Sequence, residues 1–154
     1  MTVEAAKLVP FAPSTLGSFT ATGPASPLGS PPDFVNVFRS YKDAGGRELT
    51  LRLSTGDIGA DLGTIDTETE HAFGSDTPTY WRTTSIAGHR ARIGEERPTL
   101  RSSTCLVRVG PNHVAEVKVA PASTPGECAA PAALLDFAGI TATGGLASPM
   151  HVRR

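Results

Sequence analysis

The stretch 104–137 reads TCLVRVGPNHVAEVKVAPASTPGECAAPAALLDF, and its first half decides the fold. Cysteine, valine and alanine recur there at every second position on both sides of a turn, which is the period of strands with one buried face. A three-residue turn sets Val109 opposite Ala115 and Cys105 opposite Val119, so that apolar residues meet on one face. We therefore predict a hairpin in this register.

The second half of the stretch predicts a helix after a loop rich in Pro and Gly. This helix covers about 128–138 and ends at Gly139. The predicted register places Cys105 at the end of the hairpin from which the chain runs toward Cys128. Three states of the two cysteines stay open here: a disulfide between strand and helix, two inert thiols, and a redox-active pair.

The rest of the chain predicts further hairpins and one short helix. Strand-like runs at 34–41 and 48–54 flank a Gly-rich turn. The region 56–74 has apolar residues at approximate helical spacing, which predicts a short helix or a structured loop. The runs 80–86 and 89–93 predict two more strands around an Ala-Gly turn.

These elements predict an α+β fold with an antiparallel sheet of hairpins covered by helices, and an extended N-terminal arm. The chain has 154 residues, of which 39% are hydrophobic, and this suits a single core. We assign 1–32 to the arm, which is rich in Pro, Ser and Gly. Residues 33–140 form a single α+β domain, and 141–154 an irregular C-terminal tail.

The order of elements is carried by the stretches 38–53, 83–89, 106–119 and 134–137. It resembles the α/β/α sandwich shared by the photosystem II extrinsic P subunit, the Ran nucleotide-release factors and small bacterial periplasmic proteins. The resemblance covers most of the chain after residue 33 and includes no catalytic motif. Members of this family mainly bind and organise other proteins, so the resemblance implies an accessory role and assigns no site residue.

A search for catalytic chemistry finds no recognisable motif, and the balance is against an enzyme. No serine, cysteine or carboxylate lies in an activated sequence context. The glycine-containing run 56–63 lacks the Lys-Ser/Thr ending of a phosphate-binding loop. We predict no catalytic residue, no metal site and no cofactor. The histidines lie in separate contexts without metal-ligand spacing, at His71, His89, His113 and His151.

An acidic cluster between the second and third predicted hairpin strands is the basis of an alternative function. Its carboxylates could supply oxygen ligands to calcium, but their spacing does not match an EF-hand, and a solvated acidic loop is favoured. The cluster consists of Asp57, Asp61, Asp66, Glu68 and Glu70. The alternative is therefore a small-ligand or metal-binding protein that uses the region 56–74.

Basic residues gather on the predicted strands near the only tryptophan. Aromatic residues beside arginine are frequent in binding hot spots, so we predict a surface that binds a protein partner. Its residues are Tyr80, Trp81, Arg82, Arg90 and Arg92. The competing interpretations are a solvated sheet edge for the arginines and core packing for Trp81. The net charge of −1 does not favour nucleic-acid binding.

We predict a non-catalytic accessory or protein-binding module of a larger assembly, whose partner is another protein or a second copy of the chain. No run in the sequence is long and apolar enough to span a bilayer, and none resembles a secretion signal. The predicted compartment depends on Met1. It is periplasmic if Met1 was added to a trimmed chain, and cytoplasmic otherwise.

Overall fold

A computed structural model describes residues 3–30, 34–66, 72–73, 79–96 and 100–146. Within these ranges the chain forms one antiparallel sheet and a few short helices, which confirms the α+β class. In chain order the elements are α1 (Val3–Leu8), a 3-10 helix (Val9–Phe11), β1 (Thr15–Leu16), β2 (Phe19–Ala21), β3 (Ser26–Ser30), β4 (Phe34–Lys42), β5 (Glu48–Gly56), α2 (Gly59–Asp66), β6 (Ala72–Phe73), β7 (Thr79–Ile86), β8 (His89–Glu96), β9 (Ser103–Gly110), β10 (His113–Ala120), α3 (Ala129–Ala132) and α4 (Phe137–Ala142).

The strands follow the order β1-β2-β4-β5-β10-β9-β8-β7-β6, and β3 pairs with β4 beside β2. The last strand, β10, lies between β5 and β9 and joins the β4–β5 hairpin to the strands β7–β9. The β7–β8 turn is tight because Ala87 and Gly88 both have positive φ, at 51° and 84°. Such a turn matches the right-handed twist of the strands that it connects.

The main core lies on one face of the sheet. Alternate residues of the central strands point into it, and Leu49, Leu51 and Leu53 are at most 1% exposed. The helices α1, α3 and α4 add apolar side chains to the same cluster. The predicted strands therefore bury the face that their period-two pattern indicates.

Helix α2 packs on the opposite face of the sheet. Leu62 and Ile65 from the helix, together with Ile58 before it, contact Leu106 and Val114 of the last hairpin. Of the two alternatives predicted for this region, a short helix or a structured loop, the structure contains the helix. Helix α2 covers only part of this face and leaves the rest of it uncovered.

The N-terminal segment packs on its own sheet. It begins with helix α1 where the sequence predicts extended chain, and it then adds three short strands. The phenol of Tyr41 donates to the Pro13 carbonyl at 2.6 Å, and Arg39 donates to the Ala12 carbonyl at 2.7 Å. Burial raises the pKa of Tyr41 to about 12, although the nearby Arg39 opposes this rise.

The predicted register of the last hairpin is wrong by two residues. The structure pairs Cys105 with Val117 and Val107 with Ala115, across a two-residue turn. The register shifts between His113 and the next residue, and this bulge returns the apolar residues to a common face. A shift by two keeps every side chain on its predicted face, so the buried residues are nevertheless those expected.

The single C-terminal helix predicted over 128–138 is also wrong, because the structure contains two short helices. The chain leaves α3 after Ala132, and Asp136 starts α4 by accepting a hydrogen bond from the Gly139 N–H at 3.0 Å. Gly139 is thus an early residue of a helix and not a stop signal. A Cβ atom there would collide with the carboxylate of Asp136 and the ring of Phe11.

The proposed division of the chain into 1–32, 33–140 and 141–154 stays a prediction. Residues 141–142 complete α4, and residues 147–154 of the predicted tail lie outside the described ranges. Across the described residues, we find no helix with the length and apolarity that a membrane crossing requires.

Candidate functional site

The five residues predicted to bind a partner do not share one surface. Adjacent strand residues point to opposite faces, so Tyr80 and Arg82 lie on the main-core face. Trp81, Arg90 and Arg92 lie on the face that α2 covers. The ring of Trp81 packs over a glycine of β8, where an added Cβ would lie 2.8 Å from the indole.

Two of the arginines serve the packing of α2 and β8. Arg90 donates from Nε to the Ile65 carbonyl at 3.1 Å and from Nη2 to the Asp66 carbonyl at 3.3 Å, where it stabilises the C-terminal end of α2. Arg92 is 0% exposed and donates to the Thr83 hydroxyl at 3.3 Å. Because Arg92 is fully buried, a partner does not reach it in this conformation.

A buried carboxylate, Glu95, explains the position of Arg82. Glu95 is 1% exposed and accepts hydrogen bonds from Arg82 at 2.9 Å, from the Ser103 hydroxyl at 3.1 Å and from the Gly126 N–H. Burial alone would raise the pKa of Glu95, but these hydrogen bonds outweigh it and hold the pKa below its ordinary value. Glu95 therefore stays charged and fastens the loop after β10 to the sheet.

A disulfide between Cys105 and Cys128 fastens the same loop. The two Cα atoms are 5.8 Å apart, within the usual range for a disulfide, and both residues are fully buried. The structure thus contains the first of the three cysteine states considered above. The amide of Cys128 also donates to the Ser103 hydroxyl at 3.3 Å, which links the disulfide to the Glu95 network.

Arg47 connects the β4–β5 turn to the same loop. Its Nε donates to Asp43 at 2.9 Å, and its Nη1 contacts both the Ser123 hydroxyl, at 3.1 Å, and the carboxylate of Glu127. The guanidinium also lies 5.7 Å from the centre of the Phe19 ring. The loop 121–128 is therefore held by the disulfide, by Glu95 and by Arg47.

An open groove of about 630 Å³ lies beside this loop, where the β4–β5 turn, the end of β10 and the segment before β9 meet. We call it the end groove. Its lining residues are Gly46, Glu48, Leu100, Arg101, Ala120 and Pro121. The carbonyl of Arg101 accepts a hydrogen bond from the Ala122 N–H at 3.0 Å, which joins two of its walls.

The end groove continues into the part of the sheet that α2 leaves uncovered. On β4, β5 and β10 the alternate residues of this face are exposed and polar near the groove. We call this surface the polar half-face, and its exposed members are Ser40, Lys42, Thr50 and Lys118. The adjacent groove and half-face present apolar, hydroxyl and charged groups.

The acidic cluster does not form a metal site within the described residues. Asp61 binds Arg52 through both oxygens, at 2.9 and 3.2 Å, and Asp66 lies 3.8 Å from Arg90. The described residues include no group of three side chains that could hold a metal ion. Glu68 and Glu70 lie outside the described ranges, so their part of the prediction is untested.

The two histidines in the described ranges have packing roles. His89 stacks on Phe137 with ring centres 4.4 Å apart. His113 is 1% exposed, and its Nε2 lies 3.1 Å from the Thr143 hydroxyl. Burial lowers the pKa of His113, although the charge of Glu4 opposes this shift. His71 and His151 fall outside the described ranges.

Comparisons with protein-family models, with curated proteins and with solved structures return no match for this chain.

The sequence alone does not identify the end groove. Its residues come from three separate stretches of the chain, which meet through the pairing of β10 with both β5 and β9. Glycine, alanine and proline carry no functional signal of their own in a sequence. The sequence shows that Lys42 and Lys118 are charged. It does not show that both lie on the same uncovered face of the sheet.

Proposed function

We propose that this chain is a non-catalytic accessory module that binds another protein, and that it does so through the end groove and the polar half-face. The observation that carries the proposal is the composition of the groove. Leu100, Ala120 and Pro121 provide apolar surface, and Glu48 and Arg101 provide charge. Protein–protein interfaces likewise combine apolar surface with polar and charged groups.

The attachment of the groove walls supports this role. The disulfide, the Glu95 hydrogen bonds and the Arg47 contacts restrict the loop that borders the groove. A surface that is already ordered loses little conformational entropy when a partner binds, so more of the contact energy appears as affinity.

The proposal extends to the architecture. Helix α2 on one face, and α1, α3 and α4 on the other, support an α/β/α sandwich like that of the photosystem II extrinsic P subunit and the Ran nucleotide-release factors. Accessory roles are common in that family. The fully buried disulfide supports an oxidising, extracytoplasmic compartment such as the periplasm.

Site-specific photo-crosslinking tests the proposed function. A photoreactive amino acid replaces Leu100 in the end groove or, as a control, Ala6, which is exposed on α1. In native extract we expect Leu100 to yield a discrete crosslinked protein that the Ala6 position does not yield. Equal crosslinking patterns from the two positions, or no crosslinked protein from Leu100, would contradict the proposal.

A further inference from the structure

Within the part of the chain that the structure describes, three basic side chains near the end groove have no internal partner. Other arginines there bind carboxylates, backbone carbonyls or a hydroxyl, as Arg47, Arg52 and Arg92 do. Lys42, Arg101 and Lys118 make neither an ion pair nor a hydrogen bond through their side chains within those ranges. They are therefore the cations that remain available to a ligand at no cost in internal contacts.

Sheet register places these cations around a single carboxylate. Lys42 lies directly opposite Glu48, and Glu48 lies opposite Ala120 on the other neighbouring strand. Lys118 lies on the same face of β10, and Arg101 lines the groove together with Glu48. Glu116 lies on the same face of β10, but it pairs with Arg52 at 3.4 Å. The described groups of this surface that have no ion pair are therefore three cations and Glu48, whereas the whole chain has a net charge of −1.

We infer that this surface binds an acidic polypeptide segment of the partner, an inference that rests on the proposed function. Carboxylate side chains of the segment pair with Lys42, Lys118 and Arg101, and apolar side chains between them enter the groove against Leu100 and Pro121. The separate charges of a polypeptide can avoid Glu48. A nucleic acid has a continuous line of phosphates, which cannot avoid Glu48 in the same way.

Binding of a short fluorescent peptide, in which Glu alternates with Ala and Leu, tests the inference. Its counterpart with Lys in place of Glu is the control ligand. We expect only the acidic peptide to bind, with an affinity that falls as salt is added. Lys42→Gln, Arg101→Gln and Lys118→Gln combined should weaken binding by about tenfold or more.

A gain of affinity provides the sharpest readout, because an unfolded variant cannot produce it. Glu48→Gln removes the carboxylate that lies in the groove among the three cations and should strengthen binding by about threefold. Lys7→Gln, on α1 at the opposite face, is the matched control and should leave binding unchanged. Equal binding of both peptides, or no change in Glu48→Gln, would overturn the inference.

Two further outcomes separate this inference from the proposed function. A DNA oligonucleotide or an anionic vesicle that binds with the same dependence on the three cations would overturn the acidic-polypeptide inference. A protein captured through Leu100 that makes contact without any acidic segment would also overturn it, while the proposed function stands. Failure of capture at Leu100 would contradict the proposed function itself.

Discussion

His113 shows how a single buried side chain can set the response of the fold to pH. The hydroxyl of Thr143 donates to the Ile140 carbonyl at 2.7 Å, so it accepts from the Nε2–H of His113. A Cβ on Gly145 would lie 2.6 Å from the imidazole ring, which shows how closely the C-terminal segment covers it. The folded state therefore keeps water away from the imidazole, and this burial disfavours its charged form.

The free energy of unfolding should fall as the pH drops below about 6.5, the ordinary pKa of histidine. Burial lowers the pKa of His113 in the folded state, so the unfolded chain binds a proton first as the pH falls. The slope due to one such group is at most about 1.4 kcal/mol per pH unit. Urea unfolding of the protein and of His113→Gln at several pH values measures it. His89→Gln is the control. If the unfolding free energy of His113→Gln fell with pH as steeply as that of His89→Gln, His113 would not be the group responsible for the slope.

The sequence identifies His113 only as a residue of a hairpin turn, where solvent exposure is the ordinary expectation. Its burial depends on Thr143, which follows 30 residues later after two helices, and on Gly145, and both pack over it. Contacts between such distant residues leave no trace in local periodicity. Lys42 and Lys118 are a related case. A sequence shows that these residues are charged, but it does not show whether each has an ion-pair partner in the fold.

Helix α2 illustrates what can be predicted for an element. The spacing of Ile58, Leu62 and Ile65 favoured a short helix or a structured loop, and the structure has a helix over Gly59–Asp66 whose buried residues are Leu62 and Ile65. The same residues gave no indication that Asp61 would bind Arg52, which lies on the strand beneath it. The hairpin β9–β10 had a similar limit, since the apolar pattern is identical for registers that differ by two residues.

The Arg52–Asp61 pair should contribute to stability by holding α2 on the sheet. We expect Asp61→Asn to lower the free energy of unfolding by about 1–2 kcal/mol, because it weakens a bidentate, half-buried ion pair. Asp57→Asn changes an exposed carboxylate just before the helix and should stay within about 0.5 kcal/mol. A double-mutant cycle with Arg52→Met, followed by urea unfolding, isolates the coupling. A coupling of zero would contradict this role.

At the scale of the whole molecule, the 121–128 loop links three separate parts of the sheet. It contacts β8 through Glu95, β9 through the disulfide and the β4–β5 turn through Arg47. The sequence predicted the cysteine pairing as one of three alternatives. The two ionic attachments could not be predicted, because their partners are separated by 31 and 80 residues along the chain.

Removal of the disulfide should cost stability without changing the fold. The cysteines are 23 residues apart, and closing a loop of that length in the unfolded chain is worth about 3 kcal/mol. We expect Cys105→Ala with Cys128→Ala to lower the free energy of unfolding by about that amount, while far-ultraviolet circular dichroism is retained. Reduction of the unmodified protein in denaturant should give a matching loss. Equal stability of the oxidised and double-alanine proteins would contradict the role of the disulfide.

Hydrogen exchange of the partner-bound protein tests the central claim most directly, namely that the end groove and the polar half-face form the binding surface. In the partner-bound protein we expect the amides in the β4–β5 turn, at 100–102 and in the loop 121–124 to exchange more slowly than in the free protein. Protection confined to β7, β8 and the N-terminal segment 3–30 would contradict it, and would favour the surface around Tyr80 and Arg82 that the sequence alone predicts.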